Sequence, residues 1–110
     1  MRLTGINRSL EPCVEAGWDA YNLQFDGKVD DDFVRALRPL GGSFLFMRQL
    51  AKPFFKVESN YYIVRGVVGD DFIRVGVHAD SPEELSRIEA FVRGVLARSS
   101  DAHGRRPMTP

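Results

Sequence analysis

The chain has 110 residues, 44% hydrophobic and 27% charged, which fits one globular domain and argues against disorder. Fifteen Lys and Arg balance fifteen Asp and Glu, so the basic excess expected of a duplex nucleic-acid binder is missing. The single cysteine, Cys13, excludes an intrachain disulfide, and no apolar run approaches the roughly twenty residues a membrane helix needs.

Residues 1–19 carry no decisive pattern. Ser9 to Gly17 is compatible with a helical turn, and Met1 to Leu10 lacks the apolar stretch of a secretory signal, which points to the cytoplasm. Between Ala20 and Asp26, Tyr21, Leu23 and Phe25 alternate with Asn22 and Gln24, the period of a half-buried strand. Asp30 is placed to cap a short helix carrying Phe33, Val34 and Leu37, which must stop near Pro39 and Gly41-Gly42.

Ser43 to Leu50 is the next strand candidate, closed by Pro53. Phe54 to Glu58 either joins the following strand or forms a short one of its own. Tyr61 to Val68 is rich in aromatic and β-branched residues, and Phe72 to His78 alternates strictly. Gly69-Asp70-Asp71 between them can turn tightly, so the pair reads as an antiparallel hairpin.

The clearest helix runs from Pro82 to about Arg98. Ser81 suits the N-cap, Pro82 the first helical position, and Glu84 the return arm of a capping box. Leu85, Ile88, Phe91 or Val92, Val95 and Leu96 follow helical spacing, and Glu83–Arg87 and Glu89–Arg93 are acid-first pairs four residues apart. Residues 99–110 are polar with two prolines and read as a flexible tail behind a single domain over 1–98.

These elements predict an α+β, two-layer sandwich: a mostly antiparallel sheet of about four strands with two helices on one face. The order resembles a ferredoxin-like arrangement that lacks its final strand. Such a likeness of architecture carries no function with it.

No Gly-rich loop runs from a strand into a helix, so no nucleotide fingerprint is present and no cofactor is implied. Cys13, His78 and His103 lack metal-ligand spacing. Cys13 and His78 would form a nucleophile pair only if the fold brought them together. Asp26, Asp30, Asp31 and Asp32 cluster without the EF-hand pattern, and a turn, a cap and a helix dipole account for them.

One feature resists a structural account. If the helices cover the face bearing Ile73, Val75 and Val77, the other face bears Phe72, Arg74, Gly76 and His78. With the matching choice elsewhere it also bears Phe44, Phe46, Arg48, Tyr61 and Arg65. Exposed aromatics and arginines are the composition of an interface core.

Three explanations fit: a second copy of the chain covers the face, or the strand registers differ and some of the aromatics are internal; an anionic small molecule binds there; or single-stranded nucleic acid stacks on the rings. The expectation is a non-catalytic interaction or ligand-sensing module that self-associates, as a dimer, through Phe44, Phe46, Arg48, Arg65, Phe72 and Arg74. A small cytosolic enzyme acting on an anionic substrate is the alternative, and it needs two titratable groups in one cleft. Nucleic acid ranks last on charge.

Overall fold

Short runs rich in alternating apolar, aromatic and β-branched residues favour strands. In the structure, a computed structural model that describes residues 1–9 and 17–104, they are six. They are β1 (Leu3–Arg8), β2 (Trp18–Phe25), β3 (Ser43–Met47), β4 (Phe54–Glu58), β5 (Tyr62–Val67) and β6 (Phe72–His78). Two α-helices, α1 (Asp31–Ala36) and α2 (Glu83–Gly104), and a 3-10 turn over Arg38–Leu40 complete the fold. The strands form one sheet in the order β1-β2-β6-β5-β4-β3, with every pairing antiparallel.

The α+β class, the antiparallel sheet and the two helices on one face are as expected. The sheet has six strands rather than about four. β4 stands alone because Ser59 to Tyr61 turn the chain before β5. β1 comes from the patternless N-terminal stretch. Its register shifts between Leu3 and Gly5, so Leu3 and Ile6 both face the core at a spacing of three. A bulge of that kind erases the alternation a reader looks for.

From β2 the chain crosses through α1 to the far edge of the sheet. It then meanders back through β3, β4 and β5 to β6, which pairs with β2. The three connections in the meander are short, so consecutive strands pair directly. This order stands in place of the ferredoxin-like one.

The core lies between one sheet face and the helices. Leu23, Phe55, Val57, Val64, Ile73 and Val75 are fully buried there, under Val34 of α1 and Ile88 and Val92 of α2. Each contributes about 1.5–3 kcal/mol by leaving water.

Asp30 caps α1, its Oδ1 accepting the Phe33 N–H at 2.8 Å. The Tyr62 hydroxyl donates to the Leu40 carbonyl and ties β5 to the 3-10 turn. A Cβ on Gly41 would collide with the Glu58 carbonyl, so glycine is what lets β3 begin against the end of β4.

The first turn of α2 closes through backbone bonds, Glu84 N–H to Ser81 at 3.1 Å and Leu85 N–H to Pro82 at 3.2 Å. Glu84 is buried and meets Arg87 at 3.7 Å, so the expected capping box is replaced by a pair along the helix. Arg93 meets Glu89 at 2.9 Å, as expected. α2 continues to Gly104, past the predicted end at Arg98. The Ser9 to Gly17 helical turn falls largely on residues outside those described, as does the tail from 105 onward.

Candidate functional site

Directly opposed residues of an antiparallel sheet share a face, so the registers sort every side chain. Phe44 lies opposite Val57 and Phe46 opposite Phe55, both fully buried. Phe44 and Phe46 therefore belong to the helix-covered face, at its rim, and not to the open face where they were expected. The Arg38 and Arg48 guanidinium groups sit over their rings, at 5.5 and 5.9 Å.

Arg48 lies just past β3 and reaches Asp31 of α1 at 3.3 Å, so it too serves the covered side. The reason is burial. β3 is apolar on both faces, and two phenyl rings gain more under the helices than one leucine and one methionine.

Arg65, Phe72 and Arg74 do lie on the open face, and the fold brings them together. Arg65 is directly opposite Arg74, and Lys56 of β4 is directly opposite Arg65. Asn22 of β2 continues the row beyond Arg74 and accepts from its Nε at 3.5 Å. Three cations thus stand in register on three neighbouring strands, about 4.8 Å apart from one strand to the next. Lys56 has Glu58 at 3.5 Å. Arg65 has no ion pair or side-chain hydrogen bond among the described residues.

Two residues along the strands, toward the β5–β6 turn, the face becomes apolar. Phe54 lies opposite Val67, and Phe72 follows on β6. Phe54, Val67 and Phe72 line one side of a shallow depression of about 340 Å³, and Arg65 and Arg74 line the other. Gly66 and Asp70 complete its lining.

Phe54, Lys56 and Asp70 were missing from the sequence-based set. Period-two reading of Phe54 to Glu58 as a separate strand would have placed Phe54, Lys56 and Glu58 on one face. Asp70 had no such signal, because a turn residue obeys no strand period.

At the other end of the open face, His78 pairs across to Trp18, with ring centroids 5.8 Å apart. The Asp80 N–H donates to His78 Nδ1 at 3.1 Å. Ala20 and Ile63 are buried between this end and the cation row. The accessible depression therefore lies on the other side of the cation row, between it and Phe54 and Phe72.

Cys13 and the His103 side chain lie outside the described residues. Asp26 accepts the Arg2 N–H at 2.6 Å, Asp30 caps α1 and Asp31 holds Arg48, so three of the four clustered aspartates have structural partners. Among the described residues, no three His, Cys, Asp or Glu converge to hold a metal ion. Nor is any helix among them long and apolar enough to cross a membrane.

A second depression, of about 320 Å³, lies between Leu3 and Leu96. Its arginines, Arg2 and Arg93, are engaged by Asp26 and Glu89.

No family model, curated protein or solved structure matches the chain.

Proposed function

We propose that the chain is a non-catalytic, ligand-sensing module of the cytoplasm. It holds a small anion with an apolar body in the open-face depression. The observation that carries this reading is the direct opposition of Arg65 and Arg74, flanked by Lys56. Like charges in opposed positions destabilise a sheet. A carboxylate or phosphate bridging the two guanidinium groups converts that repulsion into charge-assisted hydrogen bonds.

Phe54, Val67 and Phe72 supply the apolar wall against which the rest of the molecule packs, and the volume suits a small ligand. Asp70 at the rim disfavours a second anionic group on that side and favours a ligand with one charged end. The same cations weigh against stacking the open faces of two copies, which would bring like charges together.

Thermal unfolding and calorimetry with inorganic phosphate, benzoate, adenosine monophosphate and a short single-stranded oligonucleotide test the reading. A fitting anion at about a hundred times its Kd should raise Tm by about 10 °C. Arg65→Ala should weaken its binding at least about tenfold, the loss of one charged hydrogen-bonding partner. Phe72→Ser should weaken the two organic anions and spare phosphate. Binding that ignores Arg65→Ala, or no binding by any of the four, would sink the proposal. Binding of the oligonucleotide alone would move the site to nucleic acid.

A further inference from the structure

The two edges of the sheet are built differently. β1 carries a register shift, Gly5, and Asn7 and Arg8 at its end. Bulges and charges of this kind discourage another strand from adding to an edge. β3 has none of them. Ser43, Phe44, Leu45, Phe46 and Met47 include no charge, proline or glycine, and their register with β4 is unbroken.

β4 is the only strand beside β3 among the described residues, so one side of its backbone has no ladder. Apart from Ser43, its side chains are apolar on both faces. Phe44 and Phe46 are only partly buried at the rim of the core, and Leu45 is 41% exposed on the open face.

We infer that β3 pairs with β3 of a second copy, antiparallel, about a two-fold axis through Leu45. The sequence of the strand selects this occupant. Phe44, Leu45 and Phe46 read the same in both directions, which is what a two-fold interface requires of itself. In that register Leu45 meets its own counterpart on the open face. Phe44 meets Phe46 twice on the covered face, and aromatic pairs in opposed positions are among the favourable ones.

No charge on β3 itself opposes the pairing, and of the two arginines over its rings, Arg38 and Arg48, the second is paired with Asp31. The nearest cations in the row are the two Lys56 side chains, three strand spacings or about 14 Å apart, beyond a Debye length at physiological salt. Each also has Glu58 beside it. The product is one continuous sheet of twice six strands. Both depressions stay open, so this pairing stands or falls independently of the anion.

Sedimentation velocity of the full chain between about 1 and 300 µM should show a monomer passing to a dimer. Amides of residues 43–47 should exchange more slowly as concentration rises. Leu45→Lys sets two like charges against each other and should weaken the dimer at least about a hundredfold. Its circular dichroism and Tm as a monomer should match the parent. Leu50→Lys, at a residue 46% exposed but outside β3, should leave the dimer unchanged. A parent chain that stays monomeric throughout overturns the inference. So does a dimer that survives Leu45→Lys with unprotected residues 43–47.

Discussion

The two faces of the sheet are made by the same strands and do opposite work. On the covered face β4, β5 and β6 present Phe55, Val57, Val64, Ile73 and Val75, all aliphatic or aromatic, with Gly66 packed between Phe55 and Ile73. One residue away along each strand the same segments present Lys56, Arg65 and Arg74 in a single row. The first set lowers the free energy of the fold by leaving water. The second raises it slightly, through like charges held in opposition. The cost falls on a face that takes no part in the core, and on the reading proposed above an anionic ligand offsets it.

That contrast can be broken most severely from the covered side. Phe55→Ala should cost about 3–5 kcal/mol, a large part of the roughly 5–15 kcal/mol that holds a domain together. Urea unfolding measures it, and a loss below about 1 kcal/mol would mean that the ring is not in the core.

Gly66→Ala probes the same face more gently. The new Cβ would lie 2.9 Å from Phe55 Cε1 and 3.1 Å from Ile73 Cγ2, both on fully buried side chains. Overpacking of about 1–3 kcal/mol outweighs the roughly 0.5–1 kcal/mol gained from a stiffer unfolded chain. A net loss of about 1 kcal/mol should follow, read as a lower urea midpoint at unchanged slope.

The smallest effect belongs to the open face. Without ligand, Arg65→Ala should leave stability unchanged or raise it by about 0.2–1 kcal/mol, because it removes one of two opposed cations. The gain should shrink as salt screens the pair. A clear loss of stability would show that Arg65 holds the fold rather than a ligand.

Much of this was legible in advance. Periodicity gives β6 and the α2 core stripe, and aromatic and β-branched composition gives β5. β1 was not legible, since its bulge spaces Leu3 and Ile6 three apart. The assignment of faces split along the same line. Arg65, Phe72 and Arg74 alternate with residues that had to be buried, which placed all three on the open face. Phe44, Phe46 and Arg48 belong to a segment apolar on both sides, where alternation says which residues share a face but not which face is covered.

The amino-acid order by itself determined the class of elements, the hairpin of β5 and β6, the cap of α1 and the amphipathic run of α2. All of these are written in contacts between residues close along the chain. Tertiary structure alone decided the strand order, the side on which Phe44 and Phe46 lie, and the meeting of Lys56, Arg65 and Arg74 across three strands. Those depend on registers between distant segments, where moving one strand by a single residue exchanges its two faces. Only burial against the helices makes one of the two choices stable.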